Sequence, residues 1–122
     1  MTSTTVRGAR GEELAVEHLE RHGYRILERN YRCRGGEIDI IAEEQGVLCF
    51  VEVRSCASDA FGGPLSTVRA RKQQRIIRAA RHYLTTRRCL DREARFDVVG
   101  ITYAPELRIE LVRGAFESRS YW

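Results

Sequence analysis

Lysine is almost missing from this chain. Lys72 is the only one among 21 basic residues, so nearly all of the positive charge is arginine. Also missing is any run of about 18 or more apolar residues, which excludes a membrane-spanning helix. The opening Met-Thr-Ser-Thr-Thr-Val-Arg lacks the apolar stretch of a secretory leader, and a cytoplasmic location is expected. Cys33, Cys49, Cys56 and Cys89 form no C-x-x-C pair and no zinc-ligand rhythm, so neither a disulfide framework nor a zinc site is expected. Cys49 falls inside a predicted strand, where a free cysteine behaves as a small hydrophobe. His18 and His22 stand four apart on a predicted helix with no third ligand nearby in sequence, and read as surface residues.

What is present fits one soluble domain. A chain of 122 residues buries a worthwhile core without staples. Residues 1–7 read as a tail, 8–117 as a single domain and 118–122 as a C-terminal tail. Within the domain, residues 8–22 predict a helix ended by Gly23. Tyr24 to Tyr31 predicts a strand, and Asn30 with the Arg32–Gly36 segment makes a turn. Residues 37–54 predict a hairpin, and residues 55–64 a polar, glycine-rich loop. A long helix is expected from about Ser66, as N-cap, to about Arg88. Two closing strands, Arg95–Tyr103 and Leu107–Arg113, flank Ala104-Pro105-Glu106. The order is α-β-β-β-α-β-β, an α/β fold with a mixed central sheet flanked by helices. The long helix is a crossover, so the third and fourth strands should be parallel.

The hairpin carries the chemistry. Its turn at Gln45-Gly46 pairs positions whose numbers sum to 91, which sets Asp39 opposite Glu52 and Glu37 opposite Arg54. Cross-strand neighbours share a face with Cβ atoms about 4.5–5.5 Å apart. Two carboxylates that close repel unless a cation or a proton lies between them, which outlines a divalent-metal site. Strict alternation puts Glu37, Asp39 and Ile41 on one face of their strand, and Phe50, Glu52 and Arg54 on one face of the next. A structural ion-pair network, with Arg54 neutralising the acids, fits the same spacing.

Helix phase adds further residues. Glu12, Ala15, Val16 and Leu19 follow the core stripe of the first helix, so Glu12 is aimed at the sheet as a ligand or acceptor. An acid near a helix N-terminus, favouring the dipole, is the other reading. On the long helix Lys72, Gln73, Ile76, Ala79, Ala80, Tyr83 and Leu84 trace the inward side. Arg69, Arg71, Arg75, Arg78, Arg81 and Arg88 spread around the rest. Those arginines suit phosphate contacts; a solvated basic face is the commoner explanation. A net charge of +4 is compatible with a polyanion partner and equally with plain solubility.

Gly11-Glu12 opening the first helix, then Gly23-Tyr24, Asn30-Tyr-Arg, Gly36-Glu-Ile-Asp-Ile-Ile-Ala, Phe50-Val-Glu-Val-Arg, Phe61-Gly-Gly-Pro, Lys72 and Arg95-Phe-Asp-Val-Val follow in order. Together they closely resemble the YraN-like uncharacterised protein family, over nearly the whole domain. That family in turn resembles the restriction-endonuclease-like superfamily, especially archaeal Holliday-junction resolvases. Its nuclease signature is a helix Glu, a strand Asp and Glu-x-Lys on the next strand. The resemblance implies a restriction-endonuclease-like fold with Glu12, Asp39 and Glu52 in those roles. It implies Mg²⁺ or Mn²⁺ held by Asp39, Glu52 and the backbone carbonyl of Val53, with Glu12 contributing directly or through water. The ion would generate the attacking hydroxide and steady the phosphate charge. The chain departs from the signature at Arg54, where superfamily nucleases carry lysine. An arginine stays protonated and is no general base, although it pairs with phosphate oxygen. Lys72 is the residue placed to supply the missing ammonium.

The expected function is therefore a metal-dependent endonuclease or junction resolvase acting on DNA, with catalytic candidates Glu12, Asp39, Glu52, Arg54 and Lys72. Candidates for nucleic-acid binding are Arg69, Arg71 and Arg75. One alternative is a nucleic-acid-binding protein that keeps the fold without cleaving. Another is a partner-binding domain whose Tyr121-Trp122 tail docks on a neighbour. No membrane partner is expected, and resolvase relatives suggest a homodimer by analogy.

Overall fold

Gln45 and Gly46 both hold positive φ, 49° and 83°, the combination of a two-residue type I′ turn whose twist matches that of the strands it joins. From that turn β2 (Gly36–Glu44) and β3 (Val47–Ser58) pair as Glu44↔Val47 through Ile40↔Val51, the register expected from the sequence. The computed structural model describes residues 4–58 and 68–118. The remaining elements are α1 (Thr4–Arg21), β1 (Arg25–Cys33), α2 (Ala70–Thr86), β4 (Ala94–Ala104) and β5 (Arg108–Phe116). They build one five-stranded sheet in the order β1-β2-β3-β4-β5, mixed because β3 and β4 run parallel across the α2 crossover. The fold class read from the sequence is the one observed. No helix among the described residues is long and apolar enough to cross a membrane.

The sheet has a core on each face. Ala15 and Leu19 of α1 pack on Ile40, Ala42, Cys49, Val51, Val99 and Ile101. On the other face Ile76, Ile77, Ala80, Tyr83 and Leu84 of α2 pack on Ile38, Ile41, Leu48, Phe50 and Phe96. Cys49, fully buried, has its thiol pushed up to about 12, first by burial and then by the nearby Asp97 charge, so it is an inert core residue.

Element ends differ from the sequence-based expectation where backbone pairing overrides composition. β3 runs on to Ser58, through residues expected in a loop, because Ser55, Cys56 and Ser58 pair with Ile101, Thr102 and Ala104 of β4. Helix α1 takes in residues 4–7, expected in the tail, and Gly23 at φ 90° follows its end. Helix α2 begins at Ala70 with Arg69 at its N-cap and no capping side chain there. Ser66, expected as that cap, and the Phe61-Gly-Gly-Pro segment lie outside the described residues, as do Tyr121 and Trp122.

One expectation about faces is corrected. Strict alternation along β2 would put Ile38 on the same side as Ile40 and Ala42. Instead Ile38 joins Ile41 in the α2-side core while Ile40 and Ala42 face α1. The switch falls where β1 holds Asn30 at φ 54°, between the pairs Arg29↔Ile40 and Tyr31↔Ile38. Asparagine tolerates that left-handed backbone better than most residues, and the local reversal swaps which face each flanking residue meets. Arg29 accordingly reaches Glu13 of α1 at 2.8 Å, whereas Tyr31 packs edge-on against Tyr83 of α2. Asp39 sits in this switch.

Gly36 fixes how closely α2 approaches. A Cβ there would lie 1.9 Å from the carbonyl oxygen of Arg75, a backbone atom with no room to yield. Gly36→Ala must therefore push α2 off the sheet. The expected cost is about 2–3 kcal/mol, read as a lowered chemical-denaturation midpoint with unchanged m-value. A midpoint equal to that of the parent would contradict the packing described.

Candidate functional site

Past the Ile40↔Val51 pair, β2 turns away from the regular ladder with β3, and a side chain takes over the bonding. Asp39 Oδ2 accepts the Val53 N–H at 2.8 Å. This draws Asp39 against Glu52, and the two carboxyl groups hydrogen-bond to each other. The cross-strand closeness expected from register is thus achieved by a side chain gripping the neighbouring backbone.

Glu52 is 4% exposed. Burial first, then the hydrogen bond with Asp39 and its charge, push the Glu52 carboxyl up to about 8. Lys72 of α2 brings its Nζ to 3.5 Å from Glu52 and 3.9 Å from Glu37, and Arg54 stands 3.8 Å from Glu52. These cations oppose the upward shift without cancelling it. The ion partners of Glu37 are Arg32, across on β1, and Lys72.

Glu12 enters from the α1 face. Its carboxyl is raised above the ordinary range by burial, then by the Asp39 charge, while Arg29 and a hydrogen bond with Asn30 pull the other way. Its Oε1 is buried and accepts no hydrogen bond among the described residues. A buried acceptor without a donor is costly, and marks a place where a ligand or water belongs. Gly11 lets α1 come this close, since a Cβ there would stand 2.7 Å from Ser55 Oγ. Glu12, Asp39, Glu52, Arg54 and Lys72, gathered from four elements, therefore converge where β2 and β3 part. The peptide N–H of Val53 binds Asp39 there.

The cluster offers hard oxygen donors of the kind a Mg²⁺ or Mn²⁺ ion takes. Among the described residues no group of three or more Asp, Glu, His or Cys side chains gathers tightly enough to enclose an ion. Mg²⁺ does not need such a cage. It keeps several waters and is bound through one or two carboxylates. The Asp39–Glu52 pair, with Glu12 offering an unbonded oxygen within electrostatic reach of Asp39, matches that kind of site.

Beside Lys72 the surface opens into a groove of about 800 Å³ lined by Arg69, Arg71, Lys72, Gln74, Arg75 and Arg78, with Gly35 at its edge. The three arginines expected to touch nucleic acid thus line one groove that begins at the acidic site.

A second acidic centre was missed from the sequence. Asp97 on β4 is fully buried. It accepts hydrogen bonds from the Tyr24 hydroxyl at 2.7 Å, from Arg95 Nε at 2.8 Å and from the Gly114 N–H at 2.9 Å. Arg95 and Arg113 in turn hold Glu44, at 2.7 Å and 2.6 Å. The hydrogen bond from Arg113 is the largest influence lowering the Glu44 carboxyl, to about 2. Every acceptor here has its donor, so the network is structural. The signal was available: Asp97 interrupts Phe96-Asp-Val-Val just as Asp39 and Glu52 interrupt their strands.

Comparison with known proteins then places the chain. Residues 11–101, from the glycine that seats α1 into the buried run of β4, match the model of the uncharacterised protein family UPF0102. The chain belongs to the UPF0102 family. It is 50% identical over 118 residues to the UPF0102 protein of Syntrophus aciditrophicus, covering 96% of this chain and 93% of that one. It is 50% identical over 111 residues to the member from Geobacter metallireducens, with 90% and 91% covered. The Nitrosomonas europaea member is 44% identical over 117 residues, with 96% and 98% covered. The span matched by the family model includes Glu12, Asp39, Glu52, Arg54 and Lys72 and the whole of α2.

Proposed function

We propose that this chain is a divalent-metal-dependent phosphodiesterase acting on DNA, an endonuclease of the kind that cuts branched structures. The observation that carries this reading is the contact between Asp39 and Glu52 at a buried break in the sheet, with the unbonded Oε1 of Glu12 nearby. Asp39, Glu52 and the Val53 carbonyl would hold Mg²⁺ or Mn²⁺, with Glu12 bound directly or through water. Such an ion supplies hydroxide at neutral pH and offsets charge on a phosphate. The chain's own groups supply the rest. Glu12, with its raised proton affinity, is placed to take the proton of an attacking water. Lys72 donates to a phosphate oxygen, and its position beside Glu52 compensates for the arginine at position 54. Arg54 adds a second cation to the same phosphate.

Arg54 also favours a second reading, a nucleic-acid-binding protein that retains the site without turnover, because a permanently protonated guanidinium beside Glu52 competes with an incoming cation for that carboxylate. One experiment separates the two. Labelled duplex, single-stranded and four-way-junction DNA are incubated with Mg²⁺ or Mn²⁺ and either wild type or Asp39→Ala. Cleavage that falls at least about 100-fold in Asp39→Ala is expected. Binding without cleavage in both proteins would select the second reading, and cleavage indifferent to Asp39 would remove the site from the chemistry.

A further inference from the structure

Two groups of arginine stand out among the described residues. Arg25, Arg29, Arg32, Arg87, Arg92, Arg95 and Arg113 each lie within ion-pair distance of a carboxylate. Arg69, Arg71, Arg75 and Arg78 pair with no described carboxylate, and α2 itself contains no acidic residue. Arg71, Arg75 and Arg78 follow i, i+4, i+7 and so share one face of the helix. Like charges at those spacings cost an isolated helix about 0.2–0.5 kcal/mol each. The repulsion is relieved when an anion lies along the face.

We propose that this face of α2 is a phosphate rail, holding the backbone of double-stranded DNA without reading its sequence and leading it to the acids beside Lys72. The proposal takes its ligand class from the phosphodiesterase reading. Arg71 to Arg78 spans about 10 Å of helix axis at roughly 1.5 Å per residue. Three guanidiniums on one face can neutralise about three phosphates of a duplex.

The lining decides against a single strand. Unpaired bases need aromatic faces to stack on, and no aromatic ring lines the groove among the described residues. A duplex keeps its bases stacked on one another and asks only for charge. Among the described residues the lining is four arginines and Lys72 with Gln74, a density of positive charge suited first to the phosphate backbone. Gly35 adds no side chain opposite Arg78, which leaves that wall of the groove open to the sugar-phosphate chain.

The test is fluorescence anisotropy in EDTA, with a short labelled duplex, a scrambled duplex of equal length and the matching single strand, across about 50–200 mM salt. Wild type is expected to bind both duplexes equally and at least about 10-fold more tightly than the single strand. The slope of log K against log salt should be near −3, at about 0.9 per phosphate neutralised. The triple variant Arg71→Ala, Arg75→Ala, Arg78→Ala should lose most of that slope while keeping the wild-type thermal midpoint. Equal or tighter binding of the single strand, discrimination between the two duplexes, or an unchanged slope in the triple variant would overturn the proposal. Mn²⁺ titration of wild type, read beside its duplex binding, separates it from the metal-site reading. Metal bound without duplex preference defeats the rail alone, and a rail without bound metal defeats the phosphodiesterase alone.

Discussion

Asp97→Ala is expected to remove about 3 kcal/mol of stability, a large part of what a domain of this size possesses. The carboxylate is fully buried and accepts from a hydroxyl, a guanidinium and a backbone amide, so one substitution orphans three donors. The Gly114 amide matters most, because Gly114 holds φ 64° beside the register shift of the β4–β5 ladder. Its N–H is bonded to the Asp97 side chain, which stabilises the edge strand at that irregularity. Arg95 retains Glu44, which keeps the loss toward the lower end of the range for a broken buried pair. Tyr24→Phe removes one donor and leaves Asp97 with the others, so about 1 kcal/mol is expected there. Urea unfolding of the three proteins measures the difference. Equal midpoints for Asp97→Ala and Tyr24→Phe would mean that the network does not hold β5 in place.

The sequence made the frame of this site legible because the frame obeys periodic rules. The sum-to-91 register follows from a turn whose residues accept positive φ, and the helix stripe through Glu12, Ala15 and Leu19 follows from 3.6-residue spacing. What escaped prediction is aperiodic. The face switch at Asn30 depends on one residue's left-handed backbone, and nothing in the alternation of Glu37 to Ala42 announces it. Without that switch Asp39 would be an ordinary ladder residue opposite Glu52. With it, the Asp39 side chain replaces a ladder bond and grips the Val53 amide. Lys72 could be placed on the inward side of α2, but its distance from Glu52 depends on the close approach at Gly36. Asp97 satisfied the same rule that singled out Asp39 and Glu52. Burial alone does not separate an acid with all its donors from an acid without them; that distinction requires the partners to be seen.

Glu52→Gln is expected to stabilise the metal-free protein at pH 8 while abolishing Mn²⁺ binding. In the unfolded chain a glutamate titrates near its ordinary 4.5, whereas in the folded state the Glu52 proton is held up to about 8. Between these values the native state binds more protons than the unfolded state, so stability falls as pH rises from about 5 to 8. Glu44 has the opposite sign. Its folded carboxyl is lowered to about 2, so its contribution is present above 4.5 and is lost as pH falls toward 2. For these two groups together, stability in EDTA peaks near pH 5. Glutamine cannot ionise, and its amide donates to Asp39 as the Glu52 proton does. The variant should therefore lose the decline above pH 5 and be more stable than wild type at pH 8, the opposing pull of Lys72 and Arg54 being already contained in the raised Glu52 carboxyl. A structural ion pair predicts the reverse: removing an ionised Glu52 would leave Lys72 and Arg54 without their partner and lower stability at pH 8. Adding Mn²⁺ sharpens the contrast. A cation that replaces the shared proton binds more tightly as pH rises, so Mn²⁺ should stabilise wild type most at pH 8 and leave Glu52→Gln unmoved. Thermal midpoints of both proteins at pH 5, 6.5 and 8, with and without Mn²⁺, test this directly. If Glu52→Gln is less stable than wild type at pH 8 in EDTA, Glu52 is a structural ion-pair partner and the metal reading fails with it.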